Sequence, residues 1–329
     1  MTKNLTLLLL SFLFFQTAKA QKDQKDTVIT YFRNTGEIVN NKDSADYIRM
    51  VLPPDTATNK NLYRVFEFYP SGKHKSVSTS ITGPFFITLD GTSISYFPNG
   101  VRKNIAQYKN GKIVDDITTY YPNGKLYMIL RADYDGFYYP QITGYPQLTG
   151  MELVECRDST GVVLASNGNG HFLIFNKYYS TVIEEGNVIN GKKDGEWRGL
   201  IADSGRYICT YHKNILKSGI SYIRSGHSYP FKEFLVKPTF DGGNDNFKVF
   251  IKKNMIYPDF AKEHNLSGLV LLSFTVKTDG TLSDIKVIRG DIPCLNEEAL
   301  RIMRFSPMWS PGMQYGFPVT MNQEASINF

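Results

Sequence analysis

"GLVLLSFTVKTDGTLSDIKVIRG", residues 268 to 290, decides how the end of this chain folds. Val270, Leu272, Phe274 and Val276 alternate with Leu269, Leu271, Ser273 and Thr275. Side chains of a strand point to opposite faces in turn, so this spacing predicts a strand over 268–277 with one wholly apolar face. The other face turns polar toward its end. Thr278-Asp279-Gly280 then closes a hairpin onto a second strand, Thr281 to Arg289. Upstream, "VKPTFDGGNDNFKVFIKKNMIYP" from Val236 begins as a turn-rich linker and passes into a helix starting near Asn244 or Asp245, either of which suits a cap. Phe247, Phe250, Ile251 and Met255 give that helix one apolar face, and Tyr257-Pro258 stops it before a short segment, Asp259 to Glu263. Downstream, a helix from about Leu295 to Phe305 places Leu295, Ala299, Ile302 and Met303 inward and Glu297, Glu298, Arg301 and Arg304 outward. Trp309, between Pro307 and Pro311, reads as a pin holding its loop onto the sheet. The last strand is Val319 to Phe329.

Tyr257-Pro258, the quoted hairpin, "LNEEALRIM" from Leu295, "PMWSPG" from Pro307 and the closing "INF" occur in an order that resembles the TonB C-terminal domain. The resemblance implies two helices on one face of a small antiparallel sheet. It also implies that the free edge of the last strand pairs with a short extended peptide, the TonB box of an outer-membrane transporter. The residues it marks for partner binding are Tyr257, Pro258, Val319, Thr320, Met321, Asn322, Gln323, Glu324, Ala325 and Ser326. The residues themselves are compatible with this mode. An edge strand offers unpaired N–H and C=O groups, and polar side chains such as Thr320, Asn322, Gln323, Glu324 and Ser326 keep such an edge soluble until a guest strand covers it. The glutamines that precede the tyrosine-proline pair in some family members are replaced here by Asn254, Met255 and Ile256, which leaves partner identity open.

The earlier chain reads differently. "YFRNTGEIV" from Tyr31, "FYPSGKHKSV" from Phe68, "YFPNGVRKNI" from Tyr96, "YKNGKIVDDI" from Tyr108 and "YYPNGKLYMI" from Tyr120 are all hairpin signals. Pro98 or Pro122 presets the first turn corner, Gly100 or Gly124 closes a bulged turn, and Asn110-Gly111 suits a two-residue turn. After a Tyr-, Pro- and Gly-rich stretch from Tyr134 to Gly150, the pattern returns as "GNVINGKKDGEWRG" from Gly186. These units resemble MORN repeats and the YwqK-type, antitoxin-like repeat proteins. Trp197 and the tyrosines are read as packing between hairpins, with a ligand-binding face as the alternative. The expected organisation is a signal peptide over 1–20, an all-β region of repeated hairpins over 21–228, a linker over 229–240 and an α+β domain over 241–329.

The signal peptide is read from Lys3, the apolar run Leu5 to Phe15 and the Ala18-Lys19-Ala20 cleavage site. It places the protein in the periplasm or cell envelope, with no direct membrane span. The formal net charge of +6 is modest and lies before Lys237, so nucleic acid is not an expected partner. Cys156, Cys209 and Cys294 make no disulfide framework; Cys156 and Cys209 either form one bridge or remain buried thiols. The histidines, at 74, 171, 212, 227 and 264, have no metal-ligand spacing, and no cofactor motif is present. A Cys294–His264 hydrolase is the enzymatic rival, with nothing in the sequence to join the two residues. The expectation is a non-enzymatic, TonB-like adaptor that binds protein by strand addition and is linked to outer-membrane transport. Its partners would be a transporter peptide, or inner-membrane motor components reached through another subunit. The alternative is a MORN-repeat envelope scaffold or antitoxin-like interaction protein.

Overall fold

The computed structural model describes residues 27–55, 57, 61–132 and 150–329. The expected leader, its cleavage site and nearly all of the 134–150 stretch lie outside the described residues. The N-terminal region is dominated by a large antiparallel β-sheet, and the C-terminal region sets a few short helices against small sheets. The described residues divide into two compact units, those up to 183 with 187–192, and 184–186 with 193–329.

In the first unit one turn geometry recurs. The Tyr69 N–H donates to the Lys73 carbonyl and the Gly72 N–H to the Tyr69 carbonyl, both at 2.8 Å. The same pair of bonds forms at Phe97, Val101 and Gly100, and again at Tyr121, Lys125 and Gly124. Gly100 and Gly124 have φ of 93° and 85°, which a side-chain-bearing residue rarely adopts, and the strand register slips beside each turn. Asn110 and Gly111, at φ 50° and 79°, make the two-residue turn between Lys109 and Lys112. Successive turns are tied together. Asn99 Nδ2 donates to the Pro122 carbonyl and Asn123 Nδ2 to the Ser159 carbonyl, both at 2.9 Å; the Tyr69 and Tyr121 hydroxyls donate forward to Tyr96 and Arg157 carbonyls at 2.8 Å. A polar seam along the turns thus accompanies aromatic packing, of which Tyr121, Tyr127, Phe175 and Tyr179 form the densest cluster.

The second unit contains nearly all of the strand Lys192–Ile201, which continues into Gly205–His212 and Ile215–Ile223. Rings here lie directly over glycines. A Cβ on Gly199 would come within 2.1 Å of the Tyr207 ring, and one on Gly219 within 2.2 Å of Phe231. Trp197 is fully buried, which favours packing between hairpins over a ligand face. Residues 229–240 contain most of the strand Ser228–Phe231, paired with Ile215–Ile223, and Leu235–Val236, paired with Gly312–Gln314.

The C-terminal sheet has three strands, with Leu269–Val276 in the centre, Leu282–Arg289 on one side and Met321–Asn328 on the other. Val270, Leu272, Phe274 and Val276 are buried, as their alternation predicts. Phe247 and Ile251 of the helix Gly243–Asn254, and Leu295, Ala299, Ile302 and Met303 of the helix Pro293–Arg304, join them in one core. Trp309 joins that core too, edge-on to Phe274 with ring centroids 5.1 Å apart; its backbone N–H donates to the Gly280 carbonyl and its indole N–H to Ser306 Oγ, both at 2.9 Å. The turn Lys277–Thr281 repeats the bonding seen at Tyr69–Lys73.

Three sequence expectations need correction. The first helix starts at Gly243, with Gly242 at its cap in left-handed geometry and no side-chain cap from Asn244 or Asp245. The last strand does not run unbroken from Val319: Val319 ends a separate strand, Phe317–Val319, paired with Gly312–Gln314, and the closing strand begins at Met321. Glu298 does not face outward. It is buried, accepting a hydrogen bond from the Ile256 N–H and two from Arg301, which itself donates to the Asn254 carbonyl.

Candidate functional site

Backbone register defines the site. The closing strand pairs with the central strand without interruption, from Val276 opposite Met321 to Leu269 opposite Asn328. Gly268 and Phe329 exchange both N–H···O bonds, at 3.0 and 3.3 Å. In an antiparallel ladder such pairs alternate with pairs whose backbone groups point away. Met321, Gln323, Ala325 and Ile327 therefore aim their N–H and C=O at the central strand, whereas Asn322, Glu324, Ser326 and Asn328 aim theirs outward. Among the described residues nothing pairs with this outer edge. The Asn322, Glu324 and Ser326 side chains are exposed, while Ile327 is buried beneath the helices. Thr275 Oγ1 donates to Asn322 Oδ1 at 2.9 Å across the exposed face.

Each end of this edge is held by side chains. At the far end the Tyr257 ring packs edge-on against Phe329, centroids 6.2 Å apart, and its hydroxyl donates to the Leu266 carbonyl. Pro258 caps the short helix Asp259–Glu263 in extended geometry. Glu298 fixes the approach to this pair. Its Oε1 accepts from the Ile256 N–H at 2.6 Å, its two oxygens accept from Arg301 at 2.6 and 2.7 Å, and Arg301 Nη2 also donates to the Asn254 carbonyl at 2.6 Å. Burial alone would raise the Glu298 carboxyl, but the Arg301 hydrogen bond, the Ile256 amide and the guanidinium charge outweigh it and hold its pKa below the usual carboxylate value. At the near end Gln323 Nε2 donates to the Pro238 carbonyl at 3.1 Å.

The hairpin feeding the closing strand is also anchored. Tyr315 and Gly316, at φ 49° and 82°, turn the chain between Gly312–Gln314 and Phe317–Val319. Tyr315 stacks on Tyr207 at 5.0 Å and meets Phe231 and Phe234 edge-on at 5.9 and 5.4 Å. Sequence reading missed this cage, and Glu298 with it. The left-handed signal of Tyr315-Gly316 is the one local hint.

Of the residues marked in advance, Met321 to Ser326 lie together on the closing strand and Tyr257-Pro258 lies by its far end. Val319 and Thr320 fall before the strand begins. The enzymatic rival gains nothing: Cys294 packs against the core, whereas the His264 ring sits on Phe260, centroids 4.2 Å apart, with Nδ1 2.9 Å from the Phe260 carbonyl. All three cysteines are free, and burial pushes the Cys156 and Cys209 thiols up to about 12, far from a reactive thiolate. Among the described residues no group of His, Cys, Asp and Glu side chains is placed to hold a metal ion, and no helix is long and apolar enough to cross a membrane.

Residues 253–329 match the family described as Gram-negative bacterial TonB protein C-terminal, and residues 89–110 match a MORN repeat variant. No curated protein matches the chain. Two solution structures of the Helicobacter pylori TonB C-terminal domain, a longer and a shorter form, are 28% and 27% identical to it. They cover 27% and 26% of this chain and 83% and 89% of their own, each with a TM-score of 0.21. By the family match, residues 253–329 form a TonB C-terminal-like domain after a large β-sheet region. Its hairpins recur as structure, but the MORN match covers one unit.

Proposed function

We propose that the protein is a cell-envelope adaptor that binds an extended segment of a partner protein along the outer edge of Met321–Asn328. The observation that carries this reading is the unbroken register of that strand, which leaves the backbone groups of Asn322, Glu324 and Ser326 aligned and open. A guest strand would take up those hydrogen bonds, and Tyr257-Pro258 at the far end would meet its flank. The family match makes the TonB box of an outer-membrane transporter the first partner to try. Export through a leader peptide cleaved after Ala20, and an independent domain over 241–329, belong to the same proposal.

Proline tests it, because proline removes a donor without enlarging a side chain. Glu324→Pro should remove one intermolecular hydrogen bond and obstruct the guest chain, weakening binding of a TonB-box peptide at least tenfold, or about 1.4 kcal/mol. Glu324→Ala should bind nearly normally, and both variants should melt close to the parent, since the Glu324 N–H lies outside the internal ladder. Calorimetric titration gives the affinities. Full binding by a folded Glu324→Pro protein would remove the partner from this strand.

A further inference from the structure

The first unit holds a cavity of about 720 Å³, partly open to solvent, a volume in the range of small-molecule sites. Its wall is set by the strands Tyr63–Phe68, His74–Ser80, Gly91–Tyr96 and Arg102–Lys109, with Tyr96, Tyr108, Tyr127 and Tyr179 contributing ring surface. Positive charge collects there: Arg49, Lys75, Lys103 and Lys177 line it, against a single carboxylate, Glu67.

That carboxylate is already saturated. Glu67 Oε1 accepts from Arg49 Nη2 and Nε at 2.8 and 3.1 Å, and Oε2 accepts from Lys75 Nζ and Ser76 Oγ at 2.8 and 3.1 Å. Lys103 has no carboxylate within ion-pair distance among the described residues; its nearest compensation is the Phe97 ring, 5.8 Å from Nζ. Burial, and then the charge of Lys75, lower its pKa, as an uncompensated cation held partly out of water requires. A second unsatisfied group lies on the adjoining strand. Ser95 lies opposite Asn104, the neighbour of Lys103, and the Ser95 hydroxyl is buried with no hydrogen-bond partner. Leaving a buried hydroxyl and a desolvated ammonium unpaired is costly, and both residues belong to the wall of the same cavity.

We propose that this cavity is a binding site for a small organic anion, its charged group received by Lys103 and its flat body laid against the tyrosines. This site is separate from the docking edge and does not depend on that reading. The surplus of cations over the one saturated carboxylate, Glu67, selects for negative charge, while the rings select against a bare inorganic ion.

The full-length exported protein would be titrated calorimetrically with 2-naphthoate, its neutral isostere 2-naphthamide, and inorganic phosphate. Naphthoate should bind at least tenfold more tightly than either of the others. Lys103→Met should lose that preference and Lys103→Arg should keep it, with the melting temperature of each variant reporting that it is folded. Equal binding of the acid and the amide, phosphate binding as tightly as naphthoate, naphthoate binding untouched by Lys103→Met, or no binding of any probe would each overturn the proposal.

Discussion

Leu282–Arg289 and Met321–Asn328 flank the same central strand, yet their backbones differ. Pairing with Leu282–Arg289 slips twice, between Leu271 and Leu272 and between Ser273 and Thr275, and Asp284 there sits at φ 51°. Bulges of this kind twist a strand and scatter its outward donors, which protects an edge from further pairing. Met321–Asn328 has eight consecutive pairs and no slip. On the proposed reading, edge position alone does not make a docking strand, and regular spacing of the open backbone groups distinguishes Met321–Asn328 from its counterpart. In this sheet the regular strand also lies beside the tied-down Tyr257-Pro258 pair.

The largest test removes what the two edges share. Phe274 is 2% exposed and packs against Trp309 from the centre of the middle strand. Phe274→Ala should cost about 3–5 kcal/mol, read by chemical denaturation of the region from 193 onward. Amide exchange should then rise in both outer strands together. Loss of protection in only one of them would show that the edges are independently supported.

A smaller perturbation should separate the edges. Glu298 ties Ile256 and Arg301 to the closing-strand side, so Glu298→Ala leaves the Ile256 amide without its partner and should cost about 1–3 kcal/mol. The pH dependence has a definite sign. The folded pKa of Glu298 is lowered, so its contribution is full above the ordinary carboxylate value near 4.3 and fades as pH falls through that value toward the lowered one. Denaturation at neutral and acid pH should show a component of acid destabilisation in the parent that Glu298→Ala lacks. An unchanged acid profile in the variant would assign that destabilisation to other carboxylates.

These features differ in how far local sequence reveals them. Alternation of Val270, Leu272, Phe274 and Val276 exposed the central strand because burial on one face writes a period of two. Gly100 and Gly124 exposed the turns because their φ excludes most residues. Glu298 was hidden for the opposite reason. Its charge reads as solvent-facing on a helical wheel, and the amide that satisfies it belongs to Ile256, far away in the chain. The direction of each amide on the closing strand was hidden too, since it follows from the Gly268–Phe329 pairing and not from side-chain pattern. The cage around Tyr315 depends on three rings from another part of the unit, which no spacing near residue 315 records.

The smallest expected effect asks whether the regular edge works through its backbone. Asn322 is exposed, and its side chain accepts one hydrogen bond from Thr275 Oγ1. Thr275→Val and Asn322→Ala each delete that cross-strand bond while keeping the Asn322 N–H. An exposed cross-strand pair contributes about 0.2–1 kcal/mol, so both variants should lose a similar, small amount of stability. If the guest strand is held by main-chain hydrogen bonds, Asn322→Ala should bind a TonB-box peptide within about twofold of the parent, far from the tenfold loss expected of Glu324→Pro. Thr275→Val should do the same, since Thr275 lies on the strand behind. A large loss from Asn322→Ala with none from Thr275→Val would mean that the partner reads the asparagine side chain directly. Recognition would then rest on a side-chain contact at the near end of the strand, and regular backbone spacing would no longer explain the choice of edge.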